Sequence, residues 1–145
     1  MAVDVVTRIS IRRPRDDVAA FAADPSNVSA WYRNIKSVEW ETPPPAAAGS
    51  RIRFVAQFLG RTLDYTYEIR SLEPGRRLVM STSEGPFPME TTYEWEDEGP
   101  DATTMTLRNR GEPAGFAKIS APIMARAMRR ANEADLRRLK TLLER

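Results

Sequence analysis

FAKISAPIMARAMRRANEADLRRLKTLLER, residues 116–145, decides how the rest of the chain must be read. Phe116, Ile119, Ile123, Ala127 and Ala131 recur at three- and four-residue spacing. Leu136, Leu139, Leu142 and Leu143 continue the apolar side with a slow rotation, so the stretch reads as one long amphipathic helix with a buried face. Lys118, Arg126, Arg129, Arg130, Arg137 and Lys140 fall together on the opposite face, toward water. Pro122 has no N–H to donate and disfavours helical geometry at Ala121, so the helix either starts near there or bends there, and a bend within a helix over 115–144 is the favoured reading. A helix of this kind needs an apolar surface to lie on.

The chain has 145 residues, a length that suits one domain with a sizeable core. No run approaches the ~20 apolar residues of a membrane span, and MAVDVVTRISIRR at the start lacks the charged-then-apolar order of a signal peptide. Both features point to a cytoplasmic protein with no integral membrane segment; a monomer or homodimer is expected. Cysteine and histidine are both absent, which removes disulfides, thiolate chemistry and a Ser-His-Asp triad, and argues against a zinc or copper site. The seven glycines lie almost entirely in turns, so no phosphate-cradling loop is indicated and no cofactor is expected. The net charge of +2 is unevenly laid out. Residues 84–101 hold seven acids and no base, whereas residues 116–145 hold eight bases against three acids. A basic helix suits nucleic acid or a membrane surface. No aromatic side chains are interleaved with these charges for base stacking, so a solvated helix back is the better reading and no nucleic-acid partner is expected.

Between the start and the helix the chain alternates with period two. Val3, Val5, Thr7, Ile9 and Ile11 share one side of a first strand. Pro14, followed by Asp16 and Asp17, opens a short helix buried through Val18, Phe21 and Ala22. Asp24-Pro25-Ser26-Asn27 restarts it as a second short helix with Val28, Trp31 and Tyr32, and Asp24 is placed to cap it. That second helix lacks the basic and amide side chains of a DNA-reading helix, so closing one end of a barrel is its expected role. Ile35 to Glu41 forms a second strand, and PPPAAAGS at 43–50 is a stiff surface loop. From residue 50 onward five more strands follow, separated by turn signals at Gly60-Arg61, Glu73-Pro74-Gly75, Gly85-Pro86 and Glu98-Gly99-Pro100-Asp101. The expected class is α+β, a curved seven-stranded antiparallel sheet whose apolar face is covered by the terminal helix, in the order β-α-α-β6-α.

That order, with RRPRDDVAAFAADPSNVSAWYRNI, FLGRTLDYTYEI, LEPGRRLVMS, GPFPMETTYEWE and LRRLKTLLER, resembles the START-like superfamily, also called SRPBCC or helix-grip, in its polyketide cyclase/dehydrase-like branch. The resemblance spans nearly the whole chain. It implies a deep cavity between the helix and the concave sheet face, entered by bulky apolar ligands. Strand parity would line that face with Phe54, Phe58, Tyr65, Tyr67, Met80, Met89, Thr91, Tyr93, Trp95, Leu107 and Asn109, faced by Ile119, Ile123 and Met124. The methionines and large aromatics favour a real cavity over a filled core. Tyr67 and Tyr93 can each orient a ligand oxygen or satisfy a neighbouring backbone group. Asn109 is an inward amide that needs a side chain, water or ligand as partner. Trp31 and Trp40 are candidates for the cavity mouth, with core packing the more common fate of a lone tryptophan.

The resemblance to aromatase/cyclases implies an arginine that polarises a ketone, yet Arg53 and Arg108 read as outward by parity. Asp64, Glu68, Glu90, Glu94 and Glu96 alternate with the apolar set and point away as well. The interior is therefore expected to hold phenols, an amide and hydrophobic shape, with no side chain titrating near neutrality. Two functions follow: a carrier or sensor of a hydrophobic or aromatic small molecule, and a cofactor-free cyclase or dehydratase acting on a polyketone-like substrate. An interaction protein using the basic helix ranks behind both.

Overall fold

The computed structural model describes residues 2–112 and 119–145. Strand β1 (Val3–Ile11) leads into α1 (Arg15–Ala22), a single 3-10 turn (Pro25–Asn27) and α2 (Val28–Trp31). Strands β2 (Ile35–Trp40), β3 (Arg51–Phe58), β4 (Arg61–Glu73), β5 (Arg77–Glu84), β6 (Met89–Asp97) and β7 (Thr103–Gly111) precede α3 (Ala121–Leu143). All pairings are antiparallel in the order β1-β7-β6-β5-β4-β3-β2. This is the helix-grip arrangement, with α3 laid across the sheet. Consecutive hairpins build most of the sheet, and β1 closes onto β7, pairing Val3 with Gly111 and Ile11 with Thr103.

Local chemistry accounts for the short elements. Pro14 sits at the N-cap of α1, and Asp16 and Asp17 occupy its first turn, where the helix dipole favours acids. Asp24 accepts a hydrogen bond from the Ser26 N–H at 2.9 Å and starts the 3-10 turn. The β3–β4 turn is made by Leu59 and Gly60, both at positive φ, one residue earlier than the Gly60-Arg61 expected from composition. Leu59 takes the left-handed conformation without glycine's freedom.

The long helix departs from expectation in two respects. It starts at Ala121, with Ser120 as N-cap and Pro122 in the first turn, which is the alternative Pro122 left open and not the favoured bend. The expected earlier turns at Phe116 and Lys118 lie outside the described residues. Its buried side chains are Met124, Met128, Asn132, Asp135, Leu136, Leu139 and Leu143. Ile123, expected in the buried stripe, is 63 % exposed, and Ala127 and Ala131 are only partly covered. The reason is phase. At about 100° per residue, Ile123 and Leu139 stand about 160° apart on a straight helix, so one of them must face water. The leucines, packed on Trp31, Ile11 and Leu107, decide which.

The C-terminal end of α3 is clamped to the start of the fold. Glu144 accepts from the Arg12 N–H at 2.8 Å, from the Arg12 guanidinium at 3.2 Å and from Lys140 Nζ at 2.7 Å. Arg13 donates to the Leu143 carbonyl at 2.8 Å, and Lys140 donates to the Ser10 carbonyl at 2.6 Å. These donors hold the Glu144 carboxyl down at about 2, with Lys140 the largest cause.

Candidate functional site

A cavity of about 160 Å³ lies between α3 and the sheet. Its sheet wall is built by Phe54, Ala56 and Phe58 of β3, Leu63, Tyr65 and Tyr67 of β4, Met80 and Thr82 of β5, Met89, Thr91 and Tyr93 of β6, and Asn109 of β7. Period-two alternation on five adjacent strands brings these side chains to one face. Met124, Met128, Ala131, Asn132 and Asp135 of α3 lie opposite, and Val28, Tyr32, Asn34 and Ile35 close the side next to α2. Pro86 and Phe87 of the β5–β6 hairpin complete the wall. That hairpin rides close to the sheet, because a Cβ at Gly85 would stand 2.8 Å from the Tyr65 Cβ.

Of the side chains singled out by parity, Phe54, Phe58, Tyr65, Tyr67, Met80, Met89, Thr91, Tyr93 and Asn109 line this cavity, as does Met124. Trp95 and Leu107 do not: they face the same way but sit in the solid part of the core, where both are buried. Trp31 is fully buried beneath Tyr32 and Tyr93, at ring-centroid distances of 4.3 and 5.7 Å, and caps nothing. Trp40 donates its indole N–H to Ser26 Oγ at 3.1 Å. Ile119 packs with Val3, Val5 and Leu63 outside the wall, and Ile123 points to solvent.

Besides Asn34 and Thr82, whose hydroxyl is bonded to the Met89 backbone, two polar stations interrupt the apolar lining. On the sheet, the Tyr67 hydroxyl lies 2.9 Å from Thr91 Oγ1, which donates to Asn109 Oδ1 at 2.8 Å. Tyr67 is thus the head of a donor chain, and Asn109 finds its partner in Thr91. Burial first, then Glu90, pushes the Tyr67 phenol up, with Thr91 opposing, to about 12.

At the helix, the Tyr32 and Tyr93 hydroxyls meet at 2.6 Å. One donates to the other, and the accepting hydroxyl keeps its own proton. Burial raises both phenols well above their ordinary value. Next to them stand Asn132, 5 % exposed, and Asp135, 3 % exposed. Asp135 accepts the Arg33 N–H at 3.1 Å. Burial pushes its carboxyl up to about 6, against the lowering effects of that hydrogen bond and of the Arg138 and Arg33 charges. The expectation of an interior without a group titrating near neutrality is therefore overturned. The strand acids do alternate outward: Asp64 pairs with Arg53 at 2.5 Å and Glu90 with Arg110 at 2.9 Å. The inward acid comes from the helix, and the same phase error that put Ile123 inside hid Asn132 and Asp135. Counting back from Leu136, Leu139 and Leu143 at helical spacing finds both. Arg53 and Arg108 do face outward, paired with Asp64 and Asp4, and among the described residues no arginine lines the cavity.

The family described as "Polyketide cyclase / dehydrase and lipid transport" matches residues 2–144. The chain belongs to this family. A START superfamily protein from Mycobacterium smegmatis superposes with a TM-score of 0.83 at 14 % identity, covering 97 % of both chains. A Streptomyces aromatase/cyclase does so with a TM-score of 0.81 at 17 % identity, covering 100 % of this chain and 95 % of the other. A ginseng major latex-like protein gives 0.78 at 13 % identity, covering 98 % and 97 %. These likenesses show the fold. No curated protein matches. Among the described residues no helix is long and apolar enough to cross a membrane.

Proposed function

We propose that the protein, a single domain over residues 1–145, binds a hydrophobic or aromatic small molecule between α3 and the sheet, as a carrier or sensor. The observation that carries this reading is the cavity itself: about 160 Å³ with largely apolar walls and two polar stations. A dry apolar void of about 150 Å³ is large enough to take up benzene, so this one accommodates an aromatic ring. Membership of a family described by cyclisation, dehydration and lipid transport supports the class of ligand. The test is a titration with toluene, followed by calorimetry and by the unfolding midpoint. A saturable rise in midpoint is expected; no binding up to the solubility limit of toluene would sink the reading. Mass spectrometry of the purified protein for a retained aromatic compound is the complementary measurement.

A second reading, a cofactor-free cyclase or dehydratase, is favoured by one observation, the cavity-facing carboxyl of Asp135 with its pKa near 6. Such a group is part protonated and part ionised near neutrality, as general acid–base chemistry requires. It could take a proton from the carbon next to a ketone, or give one to a departing hydroxyl, beside the Tyr32–Tyr93 pair. An aromatase/cyclase among the structural neighbours is consistent with that chemistry. Product analysis with small polyketones separates the readings: turnover governed by one ionisation near pH 6 and abolished by Asp135→Asn supports catalysis, and binding without turnover supports the carrier.

A further inference from the structure

The helix side of the cavity contains a donor and an acceptor that no group among the described residues satisfies together. Asn132 Nδ2 is buried without a hydrogen-bond partner among the described residues. Asp135, one turn further along α3, receives among the described residues a single hydrogen bond, from the Arg33 N–H at 3.1 Å, although a carboxylate can accept several. Positions three apart on a helix share a face, with Cβ atoms about 5–6 Å from each other. Both side chains line the cavity. Leaving a buried amide donor unmade is costly, and such groups in native proteins call for an explanation.

We propose that Asn132 and Asp135 form a hydroxyl-recognition site, and that the ligand is a neutral one-ring phenol whose oxygen accepts from Asn132 Nδ2 while its proton is given to Asp135. This rests on the ligand-binding reading above and specifies its polar contact. A hydroxyl is both donor and acceptor at one atom. A ketone or ether satisfies Asn132 but offers nothing to Asp135. A carboxylate satisfies Asn132 and is repelled by ionised Asp135. The ring has its place against Phe54 and Tyr65, whose centroids are 5.7 Å apart. A phenol keeps its proton across the pH range in question, since its own ionisation lies near pH 10.

The groups around Asp135 give the site a pH response. Arg33 presents its N–H and its charge from the segment after α2, Arg138 lies on α3, and the Tyr32 and Tyr93 phenols stay protonated. Asp135 accepts a ligand proton only when ionised, so the acceptor is lost as pH falls through about 6. Once protonated it can itself donate, which suits anisole better than phenol.

Toluene, phenol, anisole and benzoate distinguish these roles when titrated into the intact protein at pH 7.5 and pH 5. At pH 7.5 phenol is expected to bind at least as tightly as toluene, whereas a wall without polar partners would disfavour the hydroxyl by ~10–100-fold. Benzoate is expected to be rejected, and the preference for phenol over anisole to shrink at pH 5. Asn132→Leu should weaken phenol ~10-fold with toluene little changed, and Asp135→Asn should remove the pH dependence. Toluene binding in each variant certifies the fold and the cavity. Rejection of phenol by a protein that takes toluene, or phenol binding indifferent to Asn132→Leu, overturns the hydroxyl site and leaves the ligand-binding reading standing. Binding of neither compound overturns both.

Discussion

One helix on one sheet makes two different interfaces. Toward its C-terminus, α3 sets Leu136, Leu139 and Leu143 into Ile11, Val18, Trp31, Trp95 and Leu107, and the packing is solid. Toward its N-terminus, Met124, Met128, Ala131 and Asn132 face Phe54, Tyr65 and Met89 across a void. The backbone is continuous through both; the side chains differ. Branched residues with few rotamers interlock with the bulky groups of the first strand and short helices, whereas methionine, alanine and asparagine reach less far or adapt. Clamps follow the same division. The solid end is held by Glu144, Arg12, Arg13 and Lys140, while the hollow end starts at Ser120 without a side-chain cap and turns Ile123 to water. The same helix is thus close-packed at one end and borders a cavity at the other.

The largest expected effect breaks the solid end. Leu139→Ala should cost about 2–5 kcal/mol in denaturant unfolding, and Met128→Ala about 2 or less, because Met128 already borders empty space. Equal losses would mean that the two halves are packed alike.

Asp135→Asn addresses the stability cost of the site. A carboxyl whose folded pKa is raised contributes its full stability below the unfolded value and loses it as pH rises through the folded one. With a folded value of about 6, ionised Asp135 destabilises the native state by up to about 3 kcal/mol above pH 7, at about 1.4 kcal/mol per unit. The variant should therefore be more stable than the parent at pH 7.5 by about 1–3 kcal/mol, less the weakened Arg33 hydrogen bond, and close to it at pH 4. A variant less stable at pH 7.5 than the parent would show that Asp135 is ionised without strain.

Filling the void should decouple binding from folding. Ala131→Leu is expected to change stability by about 1 kcal/mol or less in either direction while eliminating the toluene-induced rise in midpoint. Retention of that rise would place the ligand elsewhere.

The smallest effect concerns the clamp. Glu144→Gln should lower the unfolding midpoint slightly at pH 7 and not at pH 2, because the depressed carboxyl contributes above the ordinary carboxylate range and loses that contribution as pH falls toward 2. A loss that persists at pH 2 would assign the effect to shape instead of charge.

Strand positions were legible from alternation, while the β3–β4 turn fell one residue earlier than expected. Period two is a local property, and it assigned Phe54, Tyr67, Met89, Tyr93 and Asn109 to the concave face without any knowledge of the pairing. Parity, however, cannot tell where along a strand the face is covered. Tyr93 and Trp95 share a face, yet only Tyr93 borders the cavity. Trp31 is in the core and not at the mouth for a related reason: its depth depends on the Tyr32 and Tyr93 rings packed at a tilt against it.

By itself the sequence determined the order of elements, the family, the absence of cysteine and histidine chemistry, and the outward turn of the strand acids, because all of these rest on residue identity and spacing. Tertiary structure alone decided which arc of α3 is buried. The apolar residues of that helix fit no single stripe, and the phase was chosen by the leucine end locking onto Trp31, Ile11 and Leu107. Rotating the helix to satisfy those contacts carried Asn132 and Asp135 inward and Ile123 outward. The chemistry of the cavity is thus a consequence of packing at the opposite end of the same helix.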